Sequence, residues 1–272
     1  MQVVRLVRGR AQDSSEISWN PLADSGLEAS AVSGFDAVIH LAGETIAGRW
    51  TEGKKKAIRE SRVLGTRNLA AALARAESKP TVFICASAIG FYGDRGEEVL
   101  TEASALGQGF LPDLCYEWEE ASRIAANAGI RTVNLRTGLV LSAKGGALGK
   151  MLMPFKLGLG GRIGSGRQWW SWIQIDDLVG GIQQALQSES LSGPVNMVAP
   201  NAVRNSEFTK VLASVLGRPA IFRIPTALLH RAAGDLADEL LLGGQRVIPN
   251  KALSSGFVFK HETLRSAFEA IL

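Results

Sequence analysis

The chain is poor in the residues that build metal sites and disulfide frameworks. It has two cysteines, Cys85 and Cys115, and three histidines among 272 residues. None of these residues follows a zinc-ligand spacing, so no metal site is expected. Cys85 stands in an apolar run, which favours a buried, reduced thiol, and so few cysteines indicate a reducing compartment.

Long hydrophobic runs are also missing. No apolar stretch approaches the roughly 20 residues of a membrane-spanning helix, and no signal peptide is recognisable. Hydrophobic residues make up 46%, charged residues 21% and the net charge is +4, which is ordinary for a globular chain and unlike a disordered one. The only cationic run, Lys54–Lys56, is typical of a solvated helix face. We expect a cytoplasmic protein with no membrane and no nucleic-acid partner.

What the sequence does contain is an alternation of short β-branched runs with helical patterns. This alternation is typical of a parallel sheet with helices on both faces, whose ligands bind beyond the carboxyl ends of the strands. After Leu141 the chain becomes glycine-rich with a tryptophan cluster, and from Asn205 it is mostly helical. Asp176 and Asp177 are expected to cap the helix that follows them. The pattern predicts strands at Val3–Val7, Ala37–Ala42, Thr81–Ala86 and Arg131–Leu135, and helices at Lys54–Ala76, Asp113–Ala128 and Thr226–Leu242.

Five motifs follow one another in an order that resembles a known family. They are HLAGETIAGRW (40–50), SRVLGTRNL (61–69), ASAIGFYG (86–93), LRTGLVLS (135–142) and GSGRQWWSWIQIDDL (164–178). In order and spacing they resemble the extended short-chain dehydrogenases/reductases, and within them the atypical, sugar-nucleotide-epimerase-like "epimerase family proteins". The segments PFKLGLGGRIGSG and LLLGGQRVIPNKALSSGFVF resemble the same subgroup, including its DUF1731-like C-terminal region. The resemblance covers nearly the whole chain.

The resemblance implies an α/β fold, a Rossmann-like doubly wound parallel sheet with a small, mostly helical C-terminal lobe. Residues 1–142 and 173–200 would form the NAD(P)-binding domain, and residues 143–172 and 201–272 the substrate-side lobe. Family members begin with a strand, a glycine loop resembling GGTGFIG and a helix, whereas this chain starts at the counterpart of the second strand. We expect this first βα unit, about 30 residues, to be missing. A start site assigned too late, a truncation and a naturally shortened protein all remain open explanations.

The end of the first predicted strand indicates which cofactor such a protein would take. The strand runs into Arg8, Gly9 and Arg10, and the next acidic residue is Asp13. An acidic residue at this place accepts hydrogen bonds from the ribose of NAD, whereas an arginine accommodates the 2′-phosphate of NADP. We predict NADP(H), with Arg8 as the main contact and Arg5 or Arg10 as a secondary one; plain solvated arginines are the alternative.

Further cofactor contacts are implied by the resemblance at the ends of the other strands. Gly43 lets the backbone approach a ligand closely, although a simple strand-end turn is the alternative. Arg62 stands where extended members often carry asparagine, and either reaches the cofactor or lies on the helix surface. The complete cofactor set is Arg5, Arg8, Leu41, Ala42, Gly43, Arg62, Ala86, Arg136, Gly138 and Leu139.

The catalytic residues of the family are not intact. Extended members use a Ser or Thr and a Tyr-x-x-x-Lys pair, in which the lysine lowers the pKa of the tyrosine so that it can transfer a proton. The matching helix reads LCYEWEEASR, so alignment of the tyrosine with Cys115 places Glu119 at the lysine position. Alignment with Tyr116 places Glu120 there instead. A nearby carboxylate would raise the pKa of a tyrosine.

Two classes of function therefore stay open. In an enzyme with altered acid–base groups, Tyr92 or Ser87 would polarise a substrate oxygen and Glu119 or Cys115 would accept a proton. The expected reaction is NADP-dependent oxidoreductase or epimerase chemistry on a sugar nucleotide or small carbonyl. The alternative is a non-catalytic NADP(H)-binding sensor or partner-binding module, with Tyr92 as a packed aromatic.

The remaining small-molecule substrate contacts are expected from the cleft and the C-terminal lobe. Arg162 or Arg167 would meet a diphosphate, and the tryptophans would stack on a planar ligand unless they form core instead. The protein is expected to be a monomer or a homodimer through its two long helices. The predicted substrate set is Glu44, Met153, Pro154, Arg167, Trp169 and Trp172.

Overall fold

The computed structural model describes residues 2–23, 26–234 and 236–272. Its elements form a central parallel sheet with flanking helices, and several short two-stranded ladders. The strands are β1 (Arg5–Val7), β2 (Glu16–Ser18), β3 (Ala37–His40), β4 (Val82–Ala88), β5 (Val99–Leu100), β6 (Arg131–Thr137), β7 (Leu139–Leu141), β8 (Gly161–Ile163), β9 (Trp169–Trp170), β10 (Trp172–Gln174), β11 (Gly193–Met197), β12 (Val203–Arg204), β13 (Phe222–Ile224) and β14 (Arg246–Val247). The α-helices are α1 (Glu52–Arg75), α2 (Phe110–Asn127), α3 (Gly146–Lys156), α4 (Ile175–Gln187), α5 (Asn205–Leu216), α6 (Thr226–Ala233), α7 (Asn250–Ser254) and α8 (Leu264–Ile271).

The central sheet consists of four parallel strands in the order β11–β6–β4–β3. Its middle strand β4 is apolar on both faces, as a strand covered by helices on both sides must be. Phe83 and Cys85 pack with α1 and α2, whereas Val82 and Ile84 pack on the opposite face with the residues of α4. The predicted Rossmann-like α/β class is thereby confirmed.

The long helices on the first face lie close to their predicted positions. Thr51 caps α1 by accepting a hydrogen bond from the backbone N–H of Lys54. At the start of α2 no residue of the same helix does this; the Glu239 carboxylate instead accepts hydrogen bonds from the N–H groups of Phe110 and Leu111 at 3.0 and 2.7 Å. A carboxylate at this end of a helix also complements the helix dipole.

Strands β1 and β2 pair with each other in parallel but stand apart from the four-stranded sheet. Both parts nevertheless cover the same helix, because Leu6 of β1 and Val38 of β3 pack on one core with Leu69 and Leu73 of α1. Among the described residues no strand hydrogen-bonds the free edge of β3 or joins it to β1. These parallel strands therefore form two separate sheets, which are not hydrogen-bonded to each other between β1 and β3 in the described part of the chain.

The C-terminal part of the chain packs around a separate cluster of apolar side chains. This cluster joins α3, α5 and α8, with Trp172, Phe208 and Phe268 at its centre. The predicted continuous helix Thr226–Leu242 is wrong: α6 ends at Ala233, Gly234 has φ +62°, and a π-helical turn spans Ala237–Leu242. The division of the chain into two domains stays a prediction.

Neither a spanning helix nor a metal cluster is found in the described part of the chain. No described helix has the length and hydropathy to cross a bilayer. No described group of three or more His, Cys, Asp or Glu side chains is arranged to hold a metal ion. The cellular compartment stays a prediction.

Candidate functional site

The carboxyl ends of β3, β4, β6 and β11 meet along one edge of the sheet, as parallel strands require. Four polar side chains leave these strand ends or the turn after β4, and they are almost fully buried. They are Ser87, Tyr92, Arg136 and Asn196. A fifth side chain, Glu119, reaches them from α2.

The centre of this group is an ion pair between Arg136 and Glu119. The guanidinium donates two hydrogen bonds to the carboxylate, from Nε to Oε1 and from Nη2 to Oε2, each at 2.8 Å. Ser87 adds a third hydrogen bond, from Oγ to Oε1 of Glu119 at 2.7 Å. The Arg136 side chain is 3% exposed and that of Glu119 is 11% exposed. Such a two-fold hydrogen-bonded pair is strong and directional.

Tyr92 continues the network to the far strand. Its hydroxyl accepts a hydrogen bond from Nη1 of Arg136 at 3.0 Å and donates one to Oδ1 of Asn196 at 2.7 Å. Burial raises the pKa of the Tyr92 phenol, and the nearby Arg136 only partly offsets this. Tyr92 is therefore a protonated, fully bonded phenol.

The buried thiols lie beside this network. Burial raises the pKa of Cys115 to about 12, and the negative charge of Glu119 contributes. Cys85 shows the same effect for the same reason, also with a pKa of about 12. Both thiols are protonated at neutral pH, which makes Cys115 a weak proton acceptor.

A second polar group lies at the end of β3. The Arg62 guanidinium covers Gly43 so closely that a Cβ built on this glycine would lie 3.1 Å from Cζ. Arg62 donates from Nη1 to the carbonyl oxygen of Glu44 at 2.9 Å, and its guanidinium lies over the Trp118 ring. The hydrogen bond from Lys54 to Glu44 lowers the pKa of that carboxyl group, and the charges of Arg8 and Arg62 act in the same direction. The predicted cofactor residues Gly43 and Arg62 are thus in contact.

The arginines of β1 differ in what they touch. Arg5 is paired with Glu16 across the β1–β2 ladder at 2.8 Å. Arg8 follows the carboxyl end of β1, and its side chain forms no hydrogen bond or ion pair with any other described residue. Of the three predicted arginines, Arg5 is therefore engaged, whereas Arg8 and the exposed Arg10 have no hydrogen-bond or ion-pair partner among the described residues.

Two buried ring nitrogens near the ends of β2 and β3 have no hydrogen-bond partner. They are Nε1 of Trp19 and Nε2 of His40, whose rings lie 6.2 Å apart between centroids. Burial lowers the pKa of His40 to about 4, so its imidazole is neutral at pH 7. A buried donor or acceptor without a partner lowers the stability of the folded state. The ends of β2 and β3 therefore carry two unsatisfied polar atoms.

A small cavity of about 280 Å³ separates the turn after β4 from the π-helical turn. Asp94, Asp238 and Glu239 contribute carboxylates to its lining, and no Lys or Arg lines it. Gly90 at its edge lies near Cys115, so the cavity adjoins the buried network. Its charge does not suit a diphosphate.

The predicted substrate residues do not come together in one place. Trp172 is completely buried and donates from Nε1 to the carbonyl oxygen of Asn201. Trp169 lies between the guanidinium groups of Arg204 and Arg246, 4.2 and 4.6 Å from its ring centroid. The others are spread over the surface: Glu44 pairs with Lys54, and Met153, Pro154 and Arg167 are exposed. Their roles stay predictions.

The remaining predicted cofactor residues line the strand ends. Leu41 and Ala42 are exposed after β3, and Ala86, Gly138 and Leu139 are half-buried. Gly138 is required by packing, since a Cβ there would lie 2.5 Å from the carbonyl oxygen of Ser171.

Asn196 and Glu102 also belong to this network, although the sequence did not predict them as site residues. Asn196 is buried in β11. Its Nδ2 donates a hydrogen bond to the carbonyl oxygen of Ile248, and its Oδ1 accepts one from the Tyr92 hydroxyl. The Glu102 carboxylate accepts hydrogen bonds from the backbone N–H groups of Asn196 and Lys251. The available signal was a single amide inside the apolar run VNMV, which a buried strand holds only if it is hydrogen-bonded.

The fold and the strand-end cleft define a Rossmann-like α/β protein of the short-chain dehydrogenase type. Residues 21–198 match the model of the NAD dependent epimerase/dehydratase family, and residues 224–271 match a domain of unknown function, DUF1731. The chain belongs to the NAD dependent epimerase/dehydratase family, as the motifs predicted.

Individual relatives agree with this assignment. The epimerase family protein Mb2239 of Mycobacterium bovis is 42% identical over 267 residues, which cover 97% of this chain and 87% of the relative. The crystal structure of human epimerase family protein SDR39U1 (isoform2) with NADPH is 35% identical, with a TM-score of 0.91 over 99% of this chain and 90% of that chain. A nucleoside-diphosphate sugar epimerase from Corynebacterium glutamicum is 36% identical, with a TM-score of 0.81, over 99% of this chain and 52% of that chain.

Proposed function

We propose that this chain is an NADP(H)-binding protein whose family-type proton-transfer residues are replaced by a buried ion pair. The observation that supports the choice of cofactor is the Arg8 guanidinium after the carboxyl end of β1, which forms no hydrogen bond or ion pair with a described residue. This is where dinucleotide folds read the 2′ position of the adenosine ribose, and an arginine there favours the phosphate of NADP. The NADPH present in the human relative's structure supports the same choice.

The residues of the chain fit one end of the cofactor better than its middle. Arg8 suits the adenosine phosphate, and Gly43 with Arg62 offers a close backbone approach and a cation. Between β1 and β3, however, the described residues supply no glycine loop at a helix N-terminus, the element that usually holds a pyrophosphate. When bound, the cofactor would supply or accept a hydride.

The buried network favours binding over turnover. Glu119 is, with Glu120, one of the two positions that the resemblance offers for the lysine, and three hydrogen bonds from Arg136 and Ser87 satisfy its carboxylate. Tyr92 is likewise bonded on both sides. Protonation of Glu119 would neutralise one partner of the buried ion pair, and burial keeps the Tyr92 phenol protonated, so we infer a sensor or partner-binding role.

A reductase is the second candidate, and Arg62 is the observation that favours it. Its guanidinium lies at the cleft with only part of its donors engaged, so it can stabilise a developing oxyanion. The acid-lined cavity favours a neutral small carbonyl over a nucleotide diphosphate. Oligomeric state stays a prediction, with a monomer or homodimer open.

The test of cofactor binding compares NADPH with NADH. Arg8→Glu should weaken NADPH binding about 10- to 100-fold, because a charged hydrogen bond is replaced by repulsion, and should leave NADH affinity nearly unchanged. Fluorescence titration measures both affinities. Arg75→Glu, an equal charge change at the exposed end of α1, is the matched control. Equal losses for both nucleotides would refute the role of Arg8.

The test of turnover follows NADPH oxidation with a panel of small carbonyls and sugar nucleotides. Tight NADPH binding without oxidation supports the sensor role. Oxidation above background that is lost in Arg62→Met but retained in Arg62→Lys supports the reductase instead. Binding of NADPH by both variants shows that any loss concerns chemistry.

A further inference from the structure

Two stretches of the chain carry charge of one sign only. No Asp or Glu occurs between Glu120 and Asp176, and none occurs between Glu207 and Asp235. Away from the ends of these stretches, where Arg123 pairs with Glu120, the lysines and arginines therefore lack an acidic neighbour along the chain. In a protein whose net charge is only +4, this is a strong local segregation of positive charge.

The tertiary structure brings the two stretches together. Strand β8 from the first pairs in parallel with β13 from the second, and Arg162 stands directly opposite Arg223. Like charges directly opposite each other on a ladder are destabilising. Arg223 donates from Nε to the carbonyl oxygen of Gly164, but neither arginine forms an ion pair with a described carboxylate. Both side chains are exposed, so their charges are available to an anionic partner.

Large apolar side chains stand exposed around these cations. Ile221 is 81% exposed, Leu157 at the end of α3 is 66% exposed, and Phe222 is 48% exposed. The end of α3 lies against the start of this ladder, because Gly158 approaches Pro219. Lys156, also exposed and without an ion pair among the described residues, lies next to Leu157. The basic apolar patch is defined as Lys156, Leu157, Arg162, Ile221, Phe222 and Arg223.

We propose that the basic apolar patch binds the surface of an anionic lipid bilayer. The cations complement acidic headgroups, which would relieve the Arg162–Arg223 repulsion, and the apolar side chains enter the headgroup boundary. Nucleic acid is the weaker fit, since single strands need stacked aromatic platforms and Phe222 is the only aromatic residue of the patch. The absence of a spanning helix does not oppose this proposal, because a protein that lies on a bilayer needs none.

Vesicle sedimentation tests the proposal with the whole chain. The chain should sediment with phosphatidylcholine vesicles that contain about 30% phosphatidylserine and stay in solution with phosphatidylcholine alone, since the attraction comes from anionic lipid. Arg162→Gln with Arg223→Gln should lower the partition coefficient about 30-fold. About 0.5 M salt should abolish binding through screening.

Matched variants separate the two parts of the surface and control for folding. Arg75→Gln with Lys79→Gln removes the same charge elsewhere and should leave binding unchanged. Ile221→Ser with Phe222→Ser should weaken binding while keeping its salt dependence. Unaltered thermal melting of each variant shows that it is folded.

Three results with vesicles would overturn the proposal. They are equal binding to neutral and anionic vesicles, unchanged binding in the arginine double variant, and vesicle binding abolished by millimolar inorganic phosphate, which would mark a site for free phosphate. Binding to poly-glutamate without binding to vesicles would also overturn it, in favour of an acidic protein partner.

Discussion

At the scale of single residues, Arg136 decides how much chemistry the cleft can perform. It holds Glu119, Tyr92 and the Phe91 ring at once, the ring centroid lying 3.5 Å from its Cζ. A buried ion pair of this kind adds little net stability over an apolar core, but breaking it strands a charge. The hydrogen bonds of Arg136 therefore hold this edge of the sheet in place and engage Glu119 and Tyr92, which would otherwise be free to transfer protons.

His40 is a second residue whose surroundings control its behaviour. It ends β3, is almost fully buried and has an unpartnered Nε2. Since burial alone lowers its pKa to about 4, the folded protein resists protonation that the unfolded chain accepts.

We expect acid to destabilise the protein partly through His40. Between its ordinary value near pH 6.5 and about pH 4, the unfolded state binds the proton more readily, so the free energy of unfolding falls as pH drops through this window. The contribution is about 3 kcal/mol at most. Urea unfolding across this range should show a flatter profile for His40→Phe.

Trp19→Phe is the control for this experiment, because the Trp19 ring lies 6.2 Å from that of His40 and does not titrate. Its pH profile should match that of the unaltered chain. A profile for His40→Phe as steep as that of the unaltered chain would rule out His40 as the cause.

At the scale of elements, most boundaries follow local signals and a few depend on distant residues. The four predicted strands occur with ends shifted by up to two residues, since apolar runs mark them directly. The expected cap of α4 is wrong: the side chain of Gln174 caps the helix, and Asp177 accepts hydrogen bonds from the backbone N–H groups of Lys260 and His261. The sequence around Asp177 cannot predict this contact, because the partner Lys260 lies 83 residues further along the chain.

The segment before α2 shows how closely elements approach near the site. Gly107 donates from its N–H to the carbonyl oxygen of Phe91 at 3.0 Å, and a Cβ on Gly107 would lie 2.2 Å from the carbonyl oxygen of Tyr92. The atoms that such a Cβ would overlap belong to the backbone, which cannot move aside as a flexible side chain can. The turn that carries Tyr92 is thus held by a contact that only glycine allows.

We expect Gly107→Ala to lower the free energy of unfolding by about 1–3 kcal/mol through this overlap. Gly145→Ala is the matched control, because Gly145 is in extended backbone and nothing lies within 4 Å of its added Cβ. Its change should stay within about 0.5 kcal/mol. Denaturant unfolding measures both variants, and equal stability of the two would contradict the packing argument.

At the scale of the whole molecule, the main feature is the interruption of the parallel sheet between β1 and β3. Two pieces of parallel sheet share a core on α1, yet no described strand hydrogen-bonds both. Free strand edges favour pairing with another strand. Arg8 and Gly43 follow the carboxyl ends of β1 and β3, and Arg62 of α1 covers Gly43, so the proposed cofactor site lies at the break in the sheet.

We expect a strand–glycine loop–helix unit of the kind that the family resemblance implies, fused before Met1, to raise NADPH affinity about 100-fold. The gain comes from backbone N–H groups and a helix dipole directed at the pyrophosphate. Isothermal titration of both versions measures it. A fusion with the loop glycines changed to valine is the control, and equal affinity of all three would show that the chain needs no such loop.

The sequence by itself determined the family, the alternation of strands and helices, and the strand ends where the candidate site lies, because periodicity, turn residues and motifs are local properties. It also showed that a carboxylate stands in place of the family lysine. Only the tertiary structure showed that Glu119 is neutralised by Arg136, that Asn196 completes the network, and that Arg162 meets Arg223. These depend on contacts between residues far apart in the chain, and pairing at such distances follows from packing of the whole molecule.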